Sequence, residues 1–417
     1  MEKKRCPNCQ VEMPVDAKMC PRCGYSSELM DMEATEKPSL KQELWHFFHK
    51  HFFLLCIFVF VLLFAGYQAY ANWHNQSFDL VPVSELVRDP NSIHNINDLY
   101  ISDGRNYEYL LNKKEKKIYE MLLNSVDHFE EGFSYLYSDY GYQSKYQATQ
   151  SLKKINHAFI MDHPELFQYG TISYQVNETT KEVNVWIRYA SSKEAYEEDK
   201  NLIETELERV KEATKSFSEY EKAKYIYEYL LKNNHYGNKD DIRSQSAISA
   251  FSESSFPVCA GFARASQLLF QRVGLTSTIV PGSIGNTLHE WNIVSIGGDF
   301  YHFDATAGSG ETIKNFMPDG VLYNGFLFDH DEDYNIEESK MIPKPNGTKY
   351  LYYSLENRVY RYTGIEDLKE KLSTYDTEYV ELEITNMASF RAEREEIKET
   401  LGIQDLLITG SVALIKK

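Results

Sequence analysis

After Cys56 the chain holds a single cysteine, Cys259, in the stretch "FPVCAGFARASQLLF". Phe262, Ala265, Ser266, Leu269 and Val273 recur at helical spacing, and Pro257 cannot sit inside a helix, so the pattern predicts a helix that begins within a residue or two of Cys259. A thiol placed there meets unsatisfied amide N–H groups and the positive end of the helix dipole, which both favour the thiolate. A buried, inert cysteine fits this segment equally well. The case for a nucleophile comes from "LHEWNIVSIGGDFYHFDAT" downstream, where two alternating runs flank Gly297 and Gly298, a favoured hairpin turn. That turn pairs Trp291 with Asp304 and His289 with Thr306, and puts His289 and Asp304 on one sheet face as diagonal neighbours. A carboxylate so placed can hold one imidazole nitrogen and leave the other to take a proton from Cys259. His302 shares this face, opposite Ile293, and competes with His289 for the role of base from a poorer position relative to Asp304. Trp291 either belongs to the core or walls the site.

A second constellation lies at the other end of the chain. "CPNCQVEMPVDAKMCPRCG" contains two C-x-x-C pairs, Cys6 with Cys9 and Cys20 with Cys23, each able to aim two thiolates at one tetrahedral ion. Without a metal, this short segment has almost no core to order it. It resembles the short zinc-ribbon family, including Gly24 after the second knuckle, and departs from it at Gln10, where the first knuckle often has glycine for its turn. A closed site of four thiolates offers substrate no open position, so the expected zinc is structural or serves partner binding.

The elements that must carry these residues follow from the pattern along the chain. Residues 1–25 read as the ribbon and 26–50 as a polar cytoplasmic linker. Within 51–71, the run "FFLLCIFVFVLLFAGYQAYA" carries no charge and is long enough to cross a bilayer as one helix, with Cys56 an apolar filler. Lys37, Lys41 and Lys50 precede it and Arg88 follows, while Trp45 and Trp73 suit its two interfaces, so the N-terminus is expected in the cytoplasm and the C-terminal part outside the cell. Residues 72–112 read as a stalk containing Pro82 and Pro90. An α+β segment is expected over 113–192, with helices in "EKKIYEMLLNSVDHF" and "SLKKINHAFIMDHPELF" and a hairpin of "TISYQV" and "EVNVWIRY". The core is expected over 193–335, opening with a helix from about Lys193 to Thr214 and a second that starts on the capping box of Ser218 and Glu221 and ends near Asn234. Residues 345–417 read as a small α+β appendage.

The net charge of −18 lies entirely beyond the membrane run, because residues 1–50 carry as many acids as bases. Such a field repels nucleic acid and anionic wall or lipid polymers. The single cysteine of the large C-terminal part excludes a disulfide framework there.

From 256 to 306 the sequence resembles the transglutaminase-like superfamily: a cysteine opening a helix (Cys259), a histidine in "HEWN" (His289) and an aspartate in "DAT" (Asp304). "MDHPELFQY", "SEYEKAKYIYEYL" and "AGFARA" resemble the extracytoplasmic bacterial members, which extends the likeness over about 110–330. The resemblance implies an α+β, papain-like core in which the cysteine helix packs on an antiparallel sheet carrying the histidine and aspartate. It also implies a cysteine-dependent acyl transferase or peptidase that attacks protein or peptide amides at the cell surface, by hydrolysis or transamidation, and needs no catalytic cofactor. The oxyanion would be held by the Cys259 backbone N–H, with Tyr236 and Gln245 as candidate side-chain donors. Two departures stand out: Pro257 replaces a usual glycine two residues before the cysteine, and "AGSG" follows "DAT" where tryptophan is frequent. They leave open a catalytically silent binding or sensor module coupled to a cytoplasmic partner of the ribbon.

"DHDEDYNIEESK" places acids at the first, third and fifth positions of a calcium loop, but Tyr334 and Lys340 fill positions that need glycine and glutamate, so a solvated acidic loop is expected. The sequons at Asn75, Asn177 and Asn346 carry no further implication.

Overall fold

The computed structural model describes residues 3–6, 9–17, 19–20, 22, 97–102, 104–329, 334–336 and 342–417. The chain divides into two compact units, Met1–Glu85 and Leu86–Lys417. Among the described residues no helix is long and apolar enough to cross a membrane. The expected span at 51–71, the linker before it and Cys23 lie outside the described residues.

In the first unit, β1 (Lys3–Arg5) pairs antiparallel with β2 (Glu12–Pro14). The knuckle between them closes when Gln10 N–H bonds to the Cys6 carbonyl and Cys6 N–H to the Val11 carbonyl. Gln10 adopts φ 59°, the left-handed region where glycine is at ease, so the sequence departure at this position sits where the turn costs most.

The second unit begins earlier than a stalk allows. Leu99 and Tyr100 are buried in the main core, and α1 (Arg105–Leu110) turns Tyr107 into a second one, so the stalk expected over 72–112 is corrected for its described part. A capping box of Asn112 and Glu115 starts α2 (Lys113–Asp127). The chain continues through β3 (Gly132–Leu136), α3 (Lys145–Asp162), β4 (Tyr169–Asn177) and β5 (Glu182–Tyr189). The strands form an antiparallel sheet in the order β3-β5-β4, and the expected β4–β5 hairpin turns where Asn177 accepts from the amides of Thr179 and Thr180. Ile118, Leu122 and Val126 of α2 meet Leu152, Ile155 and Phe159 of α3 over Val183, Val185 and Ile187 of β5.

Next come α4 (Tyr196–Ala213), α5 (Glu219–Asn233) and α6 (Cys259–Arg272). The first starts three residues later than the sequence suggests, because Ser192 takes the Ala195 amide in a turn. The second begins on the expected capping box at Ser218. Ile203 and Leu207, Ile226 and Leu230, and Phe262, Leu268 and Leu269 form one core with the sheet that follows. That sheet contains β6 (Ser277–Ile284), β7 (Thr287–Ile296), β8 (Asp299–Phe303) and, after the short α7 (Glu311–Phe316), β9 (Phe326–Phe328) and β10 (Tyr334–Ile336). It is antiparallel throughout, in the order β10-β6-β7-β8-β9.

The expected turn between β7 and β8 is present. Gly297 and Gly298 both have positive φ, and Asn292 pairs with Phe303 and Ile293 with His302, in the expected register. The centre of β7, Trp291 to Val294, is buried on both faces, with successive side chains pointing to opposite sides of the sheet. Val294 and Ile296 pack with α6 in the main core, whereas Trp291 and Ile293 join Val280 and Tyr334 in a separate cluster.

The C-terminal residues run through α8 (Tyr352–Leu355), β11 (Val359–Tyr360), α9 (Ile365–Ser373), β12 (Tyr379–Ile384), α10 (Met387–Ala392), α11 (Arg394–Leu401), β13 (Asp405–Thr409) and β14 (Val412–Lys416). The sheet order is β11-β12-β14-β13. One sheet face has its own core of Val380, Leu382, Ala413 and Ile415, while Val412 and Leu414 pack into the main core.

Candidate active site

Cys259 is the first residue of α6. Val258 ahead of it is extended, and Phe262 N–H bonds to the Val258 carbonyl, so the helix opens at the thiol. No side chain caps this end. Pro257 lies outside the helix, where its fixed φ does no harm; its carbonyl accepts from Gly237 N–H at 3.0 Å, and Val258 N–H bonds to the Ser244 carbonyl at 3.0 Å. These two bonds pin the approach to the thiol.

His289 enters near the start of β7. Its Nε2 lies 2.8 Å from Oδ2 of Asp304, which follows the end of β8. Cys259 acts on the same imidazole, adding to the rise of its pKa, and with Nε2 engaged by Asp304 the ring leaves Nδ1 as its second nitrogen. Burial pulls the imidazole pKa down, but the Asp304 carboxylate outweighs it and, with a smaller contribution from Cys259, raises it to about 10. Asp304 is 1% exposed. Burial raises its pKa, while the imidazole charge and the hydrogen bonds it accepts hold the carboxyl below the usual carboxylate range. Thr306 N–H donates to Oδ1 at 2.9 Å, and the hydroxyl of Tyr334 donates to Oδ2 at 2.7 Å. Three donors therefore keep a buried charge in place.

Tyr334 corrects the sequence reading. The stretch "DHDEDYNIEESK" is not a solvated acidic loop throughout, since its centre is the edge strand β10, which pairs with β6 and delivers this hydroxyl to Asp304. No local periodicity could have revealed it. The partner lies 30 residues away and the strand spans 3 residues.

His302 lies on the same face as His289 but is committed elsewhere. It is 1% exposed, its Nδ1 accepts the indole N–H of Trp291 at 3.0 Å, and its ring stacks on Phe328. Trp291 fills both roles the sequence left open: it is buried in the cluster with Val280 and Tyr334, and its ring stacks on His289 with centroids 5.8 Å apart.

Tyr236 is brought to the thiol. Burial raises its pKa first, the charge of Cys259 adds to this, and the Cys259 backbone N–H acts in the opposite sense, so the phenol responds to Cys259. Gln245 is directed elsewhere: its amide nitrogen faces the Lys239 carbonyl at 3.5 Å.

In the first unit, the sulfurs of Cys6, Cys9 and Cys20 all lie within 4.8 Å of one another, with Cys9 and Cys20 3.6 Å apart. Tetrahedral zinc with bonds of about 2.3 Å sets its sulfurs about 3.8 Å apart, so the three thiols fit such an ion.

Residues 208–305 match the model of the transglutaminase-like superfamily. The matched segment contains Cys259, His289 and Asp304. Among solved structures, the chain is similar to one described as the crystal structure of a TGase, at 17% identity and a TM-score of 0.24; the match covers 33% of this chain and 44%, less than half, of that one. A search of curated proteins finds no match.

Proposed function

We propose that this chain, whose residues 208–305 form a transglutaminase-like domain, is a thiol enzyme that acts on protein or peptide amides through Cys259, His289 and Asp304. The observation that carries this reading is the 2.8 Å contact between His289 and Asp304, with a thiol opening a helix and acting on the same imidazole. Nδ1 of His289 takes the thiol proton, and the Asp304 charge stabilises the resulting imidazolium. The Cys259 thiolate adds to the substrate carbonyl carbon, and the oxygen gathers charge opposite the Cys259 backbone N–H, with the Tyr236 hydroxyl as second donor. When the intermediate collapses, the C–N bond breaks, the imidazolium passes its proton to the departing amine, and an acyl-thioester remains on Cys259. Water or an acceptor amine then gives a proton back to His289 as it attacks the thioester, and the thiolate leaves. Pro257 does not oppose this chemistry, because it is accommodated before the helix and leaves Cys259 at its start.

The remaining assignments follow from the sequence. Cys6, Cys9, Cys20 and Cys23 hold a structural zinc on the cytoplasmic side and can present the ribbon to a protein partner. Residues 51–71 cross the bilayer, and the enzyme faces substrates at the cell surface. The test is iodoacetamide labelling of the purified full chain from pH 5 to 9, with Cys259 resolved by mass spectrometry, beside His289→Ala. Rapid labelling of Cys259 below pH 7 that the variant loses supports the reading. The rate of an ordinary thiol in both rejects it in favour of a silent binding module.

A further inference from the structure

Asp304 is also held by its backbone. Its N–H donates to the Gly325 carbonyl at 2.7 Å, and a Cβ on Gly325 would fall 2.0 Å from the Asp304 carbonyl oxygen, so only glycine allows this approach. Residues 322–325 thus form the wall behind the aspartate. Helix α5 fixes that wall through Tyr227, whose hydroxyl donates to the Leu322 carbonyl at 2.9 Å and accepts from Gly325 N–H at 3.2 Å.

The opposite hold comes from the C-terminal residues. Tyr323 N–H donates to Oε1 of Glu381 at 2.8 Å, and the Tyr353 hydroxyl donates to the same oxygen. Glu381 is the middle of β12, between Val380 and Leu382, which point into the C-terminal core. It is 6% exposed, a single buried acid on the sheet face from which Val412 and Leu414 enter the main core. The Tyr323 ring stacks on Tyr352 at 4.3 Å, and its hydroxyl donates to Glu228 at 2.7 Å. A carboxylate buried at a packing surface is costly unless it is bonded, and its bonds here go to the wall and to α8.

We propose that residues 345–417 are a positioning module for the acyl-transfer site, in which Glu381 is the positioning residue that holds 322–325 against Asp304 and thereby sets the Asp304–His289 pair. This rests on the acyl-transfer reading for its consequence in rate, but the contact can be tested without it. Burial pushes the Glu381 carboxyl up to about 7, against the charge of Arg358 and the donors on Tyr353 and Tyr323. Tyr352 of α8, with Tyr227 and Glu228 of α5, completes the titratable groups around the contact. The hold is therefore strongest when this acid is ionised, above neutrality.

The test compares full-length Glu381→Leu, Glu381→Gln and Glu381→Asp with Leu368→Ala, which damages the module's own core without touching Tyr323. Two readouts are taken, the amide hydrogen exchange of Asp304 and the pH profile of Cys259 alkylation. Glu381→Leu should speed exchange at Asp304 at least tenfold and slow alkylation by about tenfold, with the larger effect above pH 7, where the acid is ionised. Glu381→Gln, whose amide oxygen still accepts from Tyr323, should restore both, and Glu381→Asp should fall between. Leu368→Ala should lower the melting temperature with neither change. Unchanged exchange at Asp304 in the Leu and Asp variants overturns the proposal, even if both melt earlier. If exchange responds but wild-type Cys259 labels as an ordinary thiol, the hold is real and the acyl-transfer reading falls.

Discussion

The chain uses the same side chain in two regions for opposite ends. In the first unit three cysteine sulfurs converge within 4.8 Å, and two of the residues, Cys6 and Cys20, are buried, so each thiol's neighbour is another thiol. In the second unit Cys259 stands at a helix start, partly buried, and acts on an imidazole in place of another thiol. Thiolates that close around an ion leave no vacancy for a substrate, whereas a thiolate beside an acid–base pair with one side open can exchange bonds. The neighbour, and not the cysteine, decides which chemistry follows.

The sharpest break of this contrast is Cys259→Ser, which should remove all fast labelling and all acyl transfer while leaving the N-terminal thiols to react as before, as read by site-resolved mass spectrometry. His289→Ala should slow labelling of Cys259 below pH 7 by about a hundredfold or more, the usual scale for a lost general base. Tyr334→Phe removes one of the donors to a buried carboxylate, a loss of about 1.5–3 kcal/mol, and should slow the same reaction about ten- to a hundredfold. The pair also predicts a stability profile. The imidazole is raised from an ordinary 6.5 to about 10, so its contribution is complete below pH 6.5 and is lost as pH rises toward 10. Asp304 is held low, so its contribution is complete above 3.8 and is lost as pH falls below that value. Melting curves of wild type beside Asp304→Asn should show the variant lacking the alkaline decline. The smallest effect is the most telling for the comparison: a chelator that strips zinc from the N-terminal thiols, followed by a colorimetric zinc assay, should leave the labelling rate of Cys259 unchanged.

What could be read in the sequence was local. The hairpin register follows from two glycines, and the helix start from one proline and an apolar period, which together brought Cys259, His289 and Asp304 into one reading before any coordinates. The residues that hold these three were not legible for the same reason. Tyr334 lies among acids that conceal a strand too short to show a period, and its value depends on a long-range edge pairing. Glu381 alternates with Val380 and Leu382, and so reads as the solvent side of a half-buried strand until a second core covers it. Leu99, Tyr100 and Tyr107 have no common period, which made a packed segment resemble a stalk. The candidate cysteine and histidine announce themselves by type and turn, whereas the residues that hold them are ordinary ones placed by tertiary contacts.

Strand β10 has a consequence apart from the site. The edge strand of a sheet can invite a strand from another molecule. Among the described residues this strand spans 3, and the sequence on either side is dense in acids: Asp329, Asp331, Glu332 and Asp333 before it, Glu337 and Glu338 after. An incoming chain would find few ladder positions on this described strand, and the flanking sequence would set acids beside it. The piece of chain that tethers the aspartate is therefore also a short strand flanked in sequence by acids, a pattern that disfavours edge-to-edge pairing.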